Sequence, residues 1–188
     1  MDKKLEKIYK IVEEGFDESD YRYHILPVVR YAKELANIYN VDEKTTEIAA
    51  LLHDIGRRDI KNDEVHHITG VSEAEKILQD LNYSNEVIAE VKHCVASHRT
   101  SKGSEPQTVI AKIVANADAM SHFDIFPVFY FWRGQRDYKV EEITEWVENK
   151  LDKDWEKKIT LPEAKALVDE KYKAIKVLIE TLRGYEKE

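Results

Sequence analysis

The chain has 188 residues, a formal net charge of −8 and one cysteine, Cys94. That length buries a core unaided, a lone cysteine excludes an intramolecular disulfide or a thiolate metal cluster, and the acidic balance argues against a long nucleic acid as partner. No stretch approaches the ~20 apolar residues of a bilayer span and the first ten residues hold no apolar leader core, so a soluble protein of a reducing cytoplasm, with no membrane partner, is expected.

Six glycines and four prolines in a chain rich in Ala, Leu, Ile, Glu and Lys point to an all-α fold. The first helix is expected from Lys3 to about Glu14, closed by Gly15, and the second from about Tyr23 to Tyr39. Pro27 fits that helix only near its first turn, which puts His24 at the helix start. Asp42 caps a third helix from Glu43 to about Ile55, buried on most sides by its run Ile48, Ala49, Ala50, Leu51, Leu52 and stopped by Gly56. A fourth covers His67 to Leu81, a fifth, capped by Ser84, ends near His98, and a sixth opens at Pro106. Two more follow, Val140 to Asp152 and Pro162 to Arg183. Composition shifts after about Arg133, without a linker that would mark a domain boundary.

His53 and Asp54 stand at the end of the most hydrophobic helix, where a fraying last turn lets both side chains bend toward one point. A metal would satisfy imidazole and carboxylate together. The plainer alternative is that His53 caps the helix and Asp54 pairs with Arg57 or Arg58. His24 shares a stripe with Val28, Tyr31 and Leu35, and Asp118 lies on the inward side of a helix rich in Ala, Val and Ile. A carboxylate there needs a cation, and either the arginines or a metal could supply it. Two imidazoles and two carboxylates suit a borderline ion such as Mn²⁺, Fe²⁺, Co²⁺, Ni²⁺ or Zn²⁺, with the harder Mg²⁺ also in range, and leave octahedral positions open for water and a phosphate oxygen.

The order His24, His53-Asp54-Ile55-Gly56-Arg57, and Asp118 at the end of Ile113-Val114-Ala115-Asn116-Ala117-Asp118 resembles the HD-domain superfamily of metal-dependent phosphohydrolases, over about Asp20 to Phe123. The resemblance implies a helical bundle, here one domain over residues 1–188 with its metal-binding core at about 20–123 and a C-terminal helical extension at about 134–188. It places His24, His53, Asp54 and Asp118 on the metal-ligand positions and implies hydrolysis of a phosphate ester or anhydride of a small molecule, by expectation a nucleotide. Arg57 falls where many relatives carry a basic residue and could clamp a phosphate, with Arg58 as the other candidate; a solvated helix end is the plainer account of either. Some nucleotidase relatives carry a glutamate three residues beyond the aspartate, where Arg57 stands, which argues against carrying over their catalytic acid and monophosphate substrates.

On the fifth helix His98 lies on the apolar stripe and His93 on the polar side, so His98 is the better catalytic candidate. His67 resembles the extra histidine that some relatives place after the HD pair, as a second-metal ligand or a phosphate contact, and either His67 or His98 could deliver a proton to the leaving oxygen; His66 is expected to be exposed. A second metal would need His67 and His98 both inward. Binuclear relatives instead carry an adjacent His-His pair downstream, where this chain has His93 and His98, so a single ion is expected.

The aromatic segment from His122 to Trp132 reads most simply as packing between the core and the C-terminal helices, with a base-stacking wall as the sharper alternative. Arg133, Arg136 and Lys139 could meet phosphates or form a solvated face. Two rivals to an enzyme stay open: a metal- or nucleotide-binding sensor in the same pocket, and a helical interaction module with a salt-bridged core. Association with a second copy of the chain is compatible with everything above.

Overall fold

The computed structural model describes residues 2–58, 65–99 and 104–185. All regular structure among them is helical. The chain divides into two compact units, with the boundary between Asp118 and Ala119.

The N-terminal unit starts with α1, Lys3–Gly15, whose Leu5, Ile8 and Val12 face the core and whose Asp2 carboxylate accepts from the Lys4 backbone N–H. A short turn, Glu18–Asp20, leads into a π-helical turn, Tyr21–Ile25, and then α2, Leu26–Tyr39. The expected regular helix from Tyr23 thus starts later, with Pro27 in its first turn, and His24 lies in the wider π turn ahead of it. Left-handed Asn40 (φ 52°) closes α2.

Asp42 accepts from the Thr45 backbone N–H at 2.6 Å and starts α3, Glu43–Leu52, in which every residue from Thr45 on is buried. Its α-helical part ends three residues before the expected Ile55, and Ile55–Arg57 follow as a 3₁₀ turn. This break at His53 and Asp54 frees the two side chains from the 100° divergence of α-helical neighbours. One charged cluster ties three helices together: Glu47 on α3 accepts from the Tyr9 hydroxyl of α1 at 2.6 Å and from Lys33 Nζ of α2 at 3.0 Å.

Helix α4, His66–Asp80, packs against α5, Asn85–Ser97, and against the 3₁₀ turn. Two glycines allow that second approach: a Cβ on Gly56 would lie 2.6 Å from the Gly70 nitrogen, and one on Gly70 would lie 3.1 Å from the Gly56 nitrogen. The Ser84 hydroxyl caps α5 as expected. Helix α6, Val109–Asp124, begins three residues after Pro106, because the Thr108 hydroxyl accepts from the Ala111 backbone N–H at 3.0 Å and sets the cap there.

In the C-terminal unit, α7, Phe126–Gly134, occupies the aromatic segment; α8, Val140–Lys153, α-helical to one residue past the expected end, and α9, Pro162–Tyr185, follow, with a π-helical turn at Asp154–Lys158 between them. The aromatics pack within this unit: Phe129 meets Trp146 edge to face at 5.4 Å, and Trp155 stacks on Tyr172 at 4.6 Å. The Arg133 guanidinium lies 3.6 Å from the Trp146 ring centre. Beneath them Asp154 is buried and accepts from His122 Nδ1 at 2.8 Å, with Lys150 Nζ at 3.3 Å and Lys158 Nζ at 2.9 Å. No helix among the described residues is long and apolar enough to cross a membrane.

Candidate metal centre

Six side chains from four places in the N-terminal unit and its boundary helix converge: His24 from the π turn, His53 and Asp54 from the end of α3, His66 from the first turn of α4, His98 from the end of α5 and Asp118 from α6. All six are buried. They form two groups, His24, His53 and Asp118, and Asp54, His66 and His98, each with ligand atoms within 4.8 Å of one another.

Asp54 joins the groups. Its Oδ2 lies 3.3 Å from His24 Nε2 and 3.6 Å from His53 Nε2, and its Oδ1 lies 3.0 Å from His66 Nε2 and 3.3 Å from His98 Nε2. Asp118 Oδ1 is 3.6 Å from His24 Nε2.

The backbone sets the tautomers. His53 Nδ1 donates to the Ala50 carbonyl and His98 Nδ1 to the Val95 carbonyl, each at 2.7 Å. A carbonyl only accepts, so in the neutral rings Nδ1 carries the proton and Nε2 offers its lone pair to the cluster. Those lone pairs face His24 Nε2 and His66 Nε2, at 3.2 Å in both cases. Imidazole nitrogens this close, with carboxylate oxygens beside them, are a donor set that a divalent cation satisfies, and carbonyl-anchored Nδ1–H groups are the outer-shell partners metal-binding histidines use.

Burial, reinforced by neighbouring His24 and His98, outweighs the nearby carboxylates and pushes His53 down to about 4, so the ring is neutral near pH 7. Burial also opposes ionisation of Asp54. It is outweighed by the neighbouring His53 and the Arg57 guanidinium and by hydrogen bonds from His24 and His66, which hold the carboxyl well below the usual carboxylate range. Arg57 is the permanent cation among these: its Nη1 donates to Asp54 Oδ2 at 2.9 Å.

The expected site residues divide clearly. His24, His53, Asp54, Asp118 and His98 lie together, and Arg57 touches Asp54. Arg58 pairs with Glu73 and donates to the Ile11 carbonyl at 3.4 Å, which assigns it to holding α1 and α4 rather than to the cluster. His67 is buried beside His66, ring centres 6.0 Å apart, but it contributes to neither ligand group among the described residues. His66, expected to be exposed, is buried and aims Nε2 at Asp54, because α4 packs against the 3₁₀ turn that follows Asp54 and presents its first residue there. His93 accepts from the Gln107 backbone N–H at 2.9 Å, holding the segment ahead of α6.

An all-helical fold around a buried histidine–aspartate cluster defines the class, a helical protein equipped to hold a metal. The HD domain family model matches residues 21–122, and the chain belongs to that family. Among solved structures it is similar to a predicted HD superfamily hydrolase from an uncultured Thermotogales bacterium, at 27% identity and TM-score 0.56, covering 79% of this chain and 85% of that one. It also shares its fold with Bacillus subtilis YpgQ, solved in complex with ADP, at 21% identity and TM-score 0.71, covering 98% of this chain and 94% of that one. No curated protein matches the chain.

Proposed function

We propose that the chain is a metal-dependent phosphohydrolase that cleaves a phosphate ester or anhydride of a small molecule, with a nucleotide as the substrate class. The observation that carries this reading is the convergence of His24, His53, Asp54 and Asp118 in a buried site, with the lone pair of neutral His53 turned inward and the Asp54 carboxyl ionised. Membership of the HD family supports a hydrolase, and the fold shared with an ADP-bound protein supports a nucleotide.

His24, His53, Asp54 and Asp118 would hold one divalent ion, drawn from Mn²⁺, Fe²⁺, Co²⁺, Ni²⁺, Zn²⁺ or Mg²⁺. When bound, such an ion supplies Lewis acidity toward a phosphoryl oxygen and acidifies a water. Arg57, whose side chain is 36% exposed beside Asp54, would bind a phosphate oxygen and offset charge that builds in the transition state. His98 and His66, flanking Asp54 Oδ1, would hold a proton and pass it to the leaving oxygen.

The test is a phosphate and pyrophosphate release screen over nucleoside mono-, di- and triphosphates with Mn²⁺, run beside Asp54→Asn. Release from a nucleotide that falls at least about 100-fold in the variant is expected. Binding of nucleotide without any release by the wild type would convert the reading to a sensor.

A further inference from the structure

The Asp54 oxygen that faces His24 and His53 is the one that accepts the Arg57 guanidinium. Oδ2 lies 3.3 Å from His24 Nε2 and 3.6 Å from His53 Nε2, and Arg57 Nη1 donates to it at 2.9 Å. Outer-shell partners usually strengthen a site, because a carboxylate or carbonyl behind a histidine raises its basicity. Arg57 does the reverse. A permanent cation on a ligating oxygen draws electron density from it and repels a second cation at the same atom.

We infer that Arg57 is a positioning residue that weakens the divalent-ion affinity of the His24, His53, Asp54 and Asp118 cluster by competing for Asp54 Oδ2, so that an anionic ligand which draws Arg57 away tightens the ion. This rests on the proposed metal site. The competition is local: Asp54 is 5% exposed while Arg57 is 36% exposed, so the guanidinium borders solvent, where an anion can reach it, and the carboxylate does not. It has a second carboxylate within electrostatic reach, Asp20 in the short turn ahead of the π turn, to hold it once displaced. Ion occupancy and phosphate binding are thereby linked through one side chain, and by reciprocity each strengthens the other.

The experiment is direct titration of Mn²⁺ into the metal-stripped full chain by calorimetry and by loss of the free-ion resonance signal, for wild type, Arg57→Gln, Arg57→Lys and Arg58→Gln. Arg57→Gln keeps a donor for Oδ2 but removes the charge, and it should bind Mn²⁺ about tenfold tighter. Arg57→Lys should stay within about threefold of wild type, because it keeps the charge. Arg58→Gln, which lies against Glu73 and α1, should match wild type. Equal or weaker binding by Arg57→Gln, in a variant whose circular dichroism matches wild type, overturns the inference while leaving the metal site standing. Failure of wild type itself to bind Mn²⁺ overturns both.

Discussion

Asp54 is the side chain on which the site turns, because each of its oxygens serves a different pair of histidines. The sequence pointed to it through its neighbour His53 and the glycine that follows, and a buried ionisable pair on an apolar helix needs a chemical reason. His66 could not be found the same way. At the first turn of a helix the period has not yet established a face, and with both adjacent histidines buried the pattern does not tell which of them reaches Asp54. The structure sets a clear expectation for this pair. His66→Gln should lower turnover by about 100-fold or more, whereas His67→Gln, outside both ligand groups, should stay within about threefold of wild type. Steady-state kinetics on the two variants decides it, and equal losses would mean that His67 acts where His66 has been placed.

At the scale of elements, the site depends on two departures from regular α-helix, the π turn that carries His24 and the 3₁₀ turn after Asp54. Neither is legible in the sequence, since both keep a helical pattern of apolar residues and differ only in which carbonyl each N–H reaches. The caps were legible: Asp42 and Ser84 start α3 and α5 as their chemistry demands. Pro106 misled, since Thr108 supplies the cap two residues later. Helix α7 was readable in principle from Pro127 in its first turn, but the aromatic run around it hides any apolar stripe. The close approach of Gly56 and Gly70 is what brings α4, and with it His66, to Asp54. Gly56→Ala should therefore cost about 1–3 kcal/mol by overpacking against backbone that cannot give. Urea denaturation measures this, and a loss below about 0.5 kcal/mol would show that α4 can shift without penalty.

At the scale of the whole molecule, the all-α class follows from composition alone, while the division at Asp118 does not, because no linker marks it. The C-terminal unit has its own aromatic core and its own buried charge, Asp154. Burial disfavours ionising that carboxyl, but His122, Lys150 and Lys158 outweigh it and hold its pKa low. A lowered folded pKa contributes stability that is present above the unfolded value of about 3.9 and is lost as pH falls toward the folded one. Asp154→Asn removes the buried carboxylate that His122, Lys150 and Lys158 face and should destabilise by about 3 kcal/mol at pH 7. The gap in melting temperature between wild type and variant should narrow between pH 5 and about pH 3, and a gap that stays constant would contradict the assignment.

The central claim is that the buried cluster holds a divalent ion, and elemental mass spectrometry on the purified chain after reconstitution with Mn²⁺ tests it most directly. About one equivalent is expected in the wild type, lost in His53→Ala and Asp118→Ala. A folded wild-type chain that retains no metal would contradict the account and return these six residues to a hydrogen-bonded core.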